Sequence, residues 1–93
     1  MVIASCRLEL SVPGATSLKD KRRVLSSVME RARHKFNISV AEVEAQELWQ
    51  RAVIGIALVS GDMAFARDAI DRIVAFVEGN FEGEVCSVQT EFL

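Results

Sequence analysis

From Val2 to Val12 apolar and other residues alternate: Val2, Ala4, Cys6, Leu8, Leu10 and Val12 fall on one side, with Ser5, Arg7, Glu9 and Ser11 on the other. A period of two sustained over this length fits a strand with one buried face. Pro13-Gly14-Ala15-Thr16 ends the alternation. Ser17, with Asp20 three residues later, then has the spacing of a helix N-cap and an acidic third position. From Leu18 the period changes to that of a helix. Leu18, Val24, Leu25, Val28, Met29, Ala32 and Phe36 gather on one side, and Lys19, Arg23, Ser26, Glu30 and His34 point outward.

The same order of signals then recurs. Ile38–Val43 is rich in β-branched residues and predicts a second strand, and Arg51–Ser60 predicts a third with apolar residues on both faces, as expected of a central strand. Ser60-Gly61-Asp62 supplies a turn and a second N-cap, and Met63, Ala66, Ile70, Ile73, Val74 and Val77 form an apolar stripe that Gly79-Asn80 ends. In the last strand, Val85–Phe92, Cys86, Val88, Thr90 and Phe92 share a face. The order strand, helix, strand, strand, helix, strand, with right-handed crossovers, predicts an α+β ferredoxin-like βαββαβ sandwich. Residues 1–93 then form a single domain: a four-stranded antiparallel sheet, strands one and three central, both helices on one face.

Composition narrows the function classes. The longest apolar run, Ala52–Val59, is far shorter than the roughly 20 residues of a membrane helix. Arg7 and Glu9 interrupt the N-terminal apolar residues before a signal-peptide core forms, so a cytoplasmic protein without membrane attachment is expected. Cys6 and Cys86 lack disulfide or zinc spacing and read as buried free thiols. With one His and no Tyr, the chain offers no converging set of titratable groups, and no metal, nucleotide or nucleophile motif is present. The expectation is a protein that is not an enzyme and has no cofactor or metal. His34 sits near a helix C-terminus, where a cation suits the helix dipole. Glu42 and Glu44, two apart on a strand, read as edge-guarding charges on one face.

Charge is segregated along the chain. The net charge is −2, yet residues 1–40 carry eight Lys/Arg against three Asp/Glu, and residues 41–93 carry three against ten. The run Ser17-Leu18-Lys19-Asp20-Lys21-Arg22-Arg23 places four cations in two turns at the positive end of a helix, against the dipole. Lys19, Lys21, Arg22 and Arg23 are therefore candidate anion- or RNA-binding residues, together with the free N–H groups of the helix start. The competing reading is a solvated face, with Lys21 pointing toward the apolar stripe and either lying over it or pairing with an acid from residues 41–93.

The second unexplained feature is the sheet face without helices. Alternation assigns it Ile3, Ser5, Arg7 and Glu9 from strand one, and Trp49, Arg51, Val53, Gly55, Ala57 and Val59 from strand three. A face this apolar predicts a homodimer with Trp49, Arg51, Val53 and Arg7 at its interface. Base stacking across it, as in RNA-recognition sheets, is not expected, because only Trp49 is aromatic there.

Ser17-Leu18-Lys19-Asp20-Lys21-Arg22-Arg23-Val24-Leu25, Val40-Ala41-Glu42-Val43 and Gln46-Glu47-Leu48-Trp49-Gln50-Arg51-Ala52, leading into Gly55-Ile56-Ala57-Leu58-Val59-Ser60, together resemble the YlxP-like family, domain of unknown function 503. The resemblance spans essentially the whole chain. It implies a small bacterial cytosolic ferredoxin-like protein whose gene often lies among translation and ribosome-maturation genes. It brings no catalytic residues. The function it implies is that of an accessory module touching RNA or a ribosome-associated protein. The alternative is a structural or regulatory homodimer that senses a small molecule. An acylphosphatase-like hydrolase is the distant third, since such enzymes use an Arg-bearing loop after strand one, whereas Ser11–Ser17 holds no Arg and Asn37 and Asn80 are the only Asn residues.

Overall fold

The computed structural model describes residues 1–93 and contains six elements: β1 (Val2–Ser11), α1 (Leu18–Lys35), β2 (Ser39–Glu44), β3 (Arg51–Ser60), α2 (Met63–Gly79) and β4 (Glu84–Phe92). Local chemistry accounts for the helix boundaries. Ser17 is extended and its Oγ accepts from the Asp20 N–H, while the Asp62 carboxylate accepts from the Phe65 N–H, so each helix begins on a side-chain cap. The sheet runs β2-β3-β1-β4 and every pairing is antiparallel. The ferredoxin-like arrangement expected from the sequence is thus the one observed. No helix is long and apolar enough to cross a membrane.

β1 and β3 pair without interruption from Val2↔Ser60 to Ser11↔Arg51. This register places Ala4, Cys6, Leu8 and Leu10 beside Leu58, Ile56, Ile54 and Ala52 on the inner face. Leu25 and Val28 of α1 and Ala66, Ile70, Ile73 and Val77 of α2 close over them. Each large side chain buried here contributes roughly 1.5–3 kcal/mol, set against the entropy of ordering the chain.

Both edge strands are bulged. In β2, Glu42 pairs with Ile54 and Glu44 with Val53, so Val43 is the extra residue. It leans over Gly55, where one of its methyls lies 3.1 Å from the position a Cβ would occupy. The bulge puts Glu42 and Glu44 on opposite faces of the sheet, correcting their expected placement on one face. In β4, Ser87 pairs with Glu9 and Val85 with Leu10, so Cys86 is extra. Cys86 is therefore exposed, contrary to the expected pair of buried thiols, and only Cys6 is buried. Burial raises the Cys6 thiol pKa, partly countered by a contact with the Thr90 hydroxyl. β2 also begins and ends one residue later than expected.

Gly83, entering β4, is required by space: a Cβ there would lie 2.1 Å from the Ser11 carbonyl oxygen. Gly61 has nothing within 4 Å. Gly83→Ala is expected to lower stability by about 1–3 kcal/mol in urea unfolding through overpacking, and Gly61→Ala to stay within about 0.5 kcal/mol of the parent.

Candidate functional site

The start of α1 is the part of the molecule where the sequence violates the helix-dipole preference, and the structure divides its cations into two groups. Lys21 is the only charged residue that is fully buried, with 0% exposure. It lies on the inward side of α1 with Leu25, Val28 and Ala32, and its ammonium reaches the backbone where β2 crosses to β3. Nζ donates to the carbonyls of Ala45 (2.8 Å), Gln46 (3.3 Å) and Arg51 (3.1 Å). Three acceptors match the three hydrogens of an ammonium. Glu42 Oε2 lies 3.0 Å from the same nitrogen, close enough to neutralise its charge but without hydrogen-bond alignment of its own. Lys21 therefore does not reach an external anion, which removes it from the proposed binding set. The physical reason is its inward position on the helix, beside a strand that the Val43 bulge has turned so that Glu42 faces the core.

The helix start is also occupied from within the chain. The Asp20 carboxylate accepts from the Thr16 N–H (3.2 Å) and hydroxyl (2.6 Å), while Ser17 covers the Asp20 N–H. The Thr16 hydroxyl, followed by its N–H, holds the Asp20 pKa below the ordinary carboxylate value. A carboxylate of the chain thus lies beside the helix start, where a bound phosphate was expected. Lys19, Arg22 and Arg23 remain exposed, and none takes part in any of the chain's ion pairs. They continue along the outer face of α1 through Ser26 to Arg33 and His34, a stripe of roughly 22 Å at 1.5 Å per residue. Its one carboxylate, Glu30, is paired with Arg33 at 3.1 Å.

The residues between β2 and β3 form a second part of this end. Ala45 has a left-handed φ of 59°, and its carbonyl accepts from the Leu48 N–H as well as from Lys21. Gln50 donates through Nε2 to Pro13 O and Ala15 O, and its own carbonyl receives the Val12 N–H at 2.9 Å. Trp49 lies on this connection and is 55% exposed. It is therefore not a sheet-face residue as expected, because β3 begins two residues later.

On the open sheet face Arg7 bridges Glu9 (3.2 Å) and Glu44 (2.5 Å), and Arg51 holds the other oxygen of Glu9 at 3.0 Å. The Glu44 contact raises the Arg7 pKa and lowers that of Glu44. Arg7 and Arg51 are thus brought together as expected, but through a shared carboxylate. Val53, between its register partners Glu9 and Glu44, is only 3% exposed and is not available as an interface side chain. Beside this lattice lies a shallow depression of about 450 Å³ lined by Ser5, Arg7, Val43, Gly55, Ala57 and Gln89.

Comparison with known proteins places the chain. The model of the DUF503 family, a protein family of unknown function, matches residues 3–90. The chain belongs to this family. It is 35% identical over 91 residues to the uncharacterized protein YlxP of Bacillus subtilis (strain 168), covering 98% of this chain and 99% of that one. Among solved structures it is similar to two de novo designed proteins. One is the ferredoxin-fold design LFR1 1, with TM-score 0.62, 9% identity, 99% of this chain and 85% of the other covered. The other is Foldit4, with TM-score 0.53, 15% identity and 99% and 94% covered. At these identities the likeness concerns the fold alone.

Removing the Lys21 side chain leaves three buried carbonyls without a donor and Glu42 without its counter-charge. Lys21→Met is expected to cost about 3–5 kcal/mol in urea unfolding. Glu42→Gln is expected to cost less, because the carbonyls keep their donor.

Proposed function

We propose that this DUF503 protein is a non-enzymatic binding module that contacts the phosphate backbone of RNA through the outer face of α1. The observation that carries this reading is that Lys19, Arg22 and Arg23 are exposed together at one helix start outside any ion pair, on a chain whose overall charge is negative. Of the other eight Lys/Arg, five are neutralised locally, Lys21 with Glu42, Arg7 with Glu44 and Glu9, Arg33 with Glu30, Arg51 with Glu9 and Arg72 with Asp68, while Arg31, Lys35 and Arg67 rest against Asn80, Phe76 and Phe92. Exposed cations that are left unpaired supply the sequence-independent electrostatic part of nucleic-acid binding. Because the Asp20 carboxylate lies beside the helix start, the surface suits an extended polyanion rather than a single pocketed phosphate. The translation-gene neighbourhood implied by the family resemblance favours RNA, free or on the ribosome, in the cytoplasm.

Binding to structured RNA or ribosomal particles is expected at low salt and to weaken steeply as salt rises. Lys19→Glu with Arg22→Glu is expected to reduce affinity at least about tenfold and to flatten the slope of log K against log salt by roughly 1.4–1.8, at about 0.7 per lost phosphate contact on a single strand and about 0.9 on a duplex. Absence of binding at low salt, or an unchanged slope in the double variant, contradicts the reading.

A homodimer closing the open sheet face is the second reading, favoured by the exposure of Val59 (67%) and Val43 (48%) on β3 and β2. The depression beside Arg7 and Gln89 would then lie at the subunit interface, where a small molecule would be sensed. Sedimentation equilibrium is expected to give twice the 10.3 kDa chain mass, and a monomer mass at every concentration contradicts it.

A further inference from the structure

Leu48 and Trp49 are exposed by 51% and 55%, on a connection whose backbone is fixed from several sides. Lys21 holds the carbonyls of Ala45 and Gln46 at its start and of Arg51 at its end, and Gln50 staples it to the segment entering α1. A large aromatic held outward by a buried ammonium is preorganised for contact with something outside the chain. The same ammonium fixes this connection against the first turns of α1.

Arg51, two residues on, is taken up by Glu9, and helix geometry identifies the α1 cations on the side of this connection. Arg33 reaches the Val40 carbonyl of β2 at 2.9 Å. Arg22 lies eleven positions earlier, roughly 20° away around the helix axis, so it shares the side of α1 that faces β2 and the connection after it. Lys19 lies about 60° further round and one turn nearer the helix start. An exposed indole with unpaired cations beside it is the arrangement that holds a single nucleic-acid strand, with a base on the ring and phosphates on the cations.

We propose that residues 45–50 and the start of α1 form one site for single-stranded RNA, in which an unpaired base stacks on the Trp49 indole while Arg22 and Lys19 hold the flanking phosphates. The inference rests on the polyanion-binding reading of α1 and adds the choice of single strands over duplexes, whose bases are already stacked on one another. Glu47, exposed on the same connection, is the carboxylate that opposes the phosphates. Its replacement by Gln therefore tightens binding.

Trp49 is the chain's one Trp and there is no Tyr, so intrinsic fluorescence reports on this ring directly. The experiment titrates the full chain with an oligoadenylate of about ten nucleotides, with an RNA duplex of similar charge and with inorganic polyphosphate. Oligoadenylate is expected to quench Trp49 emission, and the duplex and polyphosphate to bind without quenching. Trp49→Ala is expected to weaken oligoadenylate binding roughly 5- to 150-fold and to leave polyphosphate binding unchanged, with circular dichroism confirming the fold. Equal oligoadenylate affinity in Trp49→Ala, without quenching in the parent, overturns the site and leaves the polyanion reading standing. Failure of all three polyanions to bind overturns both. Trp49-dependent capture of a protein, with no quenching by RNA, reassigns the ring to a protein interface and overturns the proposal.

Discussion

The Lys21 ammonium is the interaction on which this end of the molecule depends. It carries a full charge into the core, and its burial is tolerated because three carbonyls and one carboxylate surround it. Two of those carbonyls belong to the connection between β2 and β3 and one to the first residue of β3. One side chain thereby fixes where β2 ends, where β3 begins and how α1 lies against both. The left-handed backbone at Ala45 is maintained in this setting, its carbonyl held by Lys21 and by the Leu48 amide.

The bulge at Val43 makes this arrangement possible. Without the extra residue Glu42 and Glu44 would share a face, and either Lys21 would lose its carboxylate or Arg7 one of its two. With it, Glu42 turns inward to Lys21 and Glu44 outward to Arg7, while Val43 covers Gly55. One inserted position thus serves the core and the open face together. It also interrupts an edge strand that would otherwise offer a regular row of free backbone groups to a neighbouring chain.

The elements that define the fold are legible in the sequence because each carries a periodic pattern and a chemical boundary: the Val2–Val12 alternation, the Ser17 and Asp62 caps, and the doubly apolar Arg51–Ser60 run. The two bulges are not legible. A single extra residue in an edge strand leaves the local composition unchanged and shows only in the register with its neighbour. By pattern alone Val43 and Cys86 therefore read as members of regular strands, and Trp49 as part of a sheet face it does not occupy. Lys21 stands out in the sequence as a cation pointing toward an apolar stripe, and an acidic partner from the second half is among its alternatives. Its main acceptors are not readable there, because backbone carbonyls exist at every position and only the fold selects three of them. The outward cations are legible from helical spacing, since exposure there is set by angle alone.

The basic run of α1 therefore performs two different tasks: Lys21 organises the chain, and Lys19, Arg22 and Arg23 face outward from what it organises. The most direct measurement of this division is lysine reactivity. The chain has three lysines, Lys19, Lys21 and Lys35. Native acetylation followed by peptide mass spectrometry is expected to label Lys19 and Lys35 readily, and Lys21 only once denaturant unfolds the chain. Labelling of Lys21 at the rate of Lys19 in the folded protein would contradict the account.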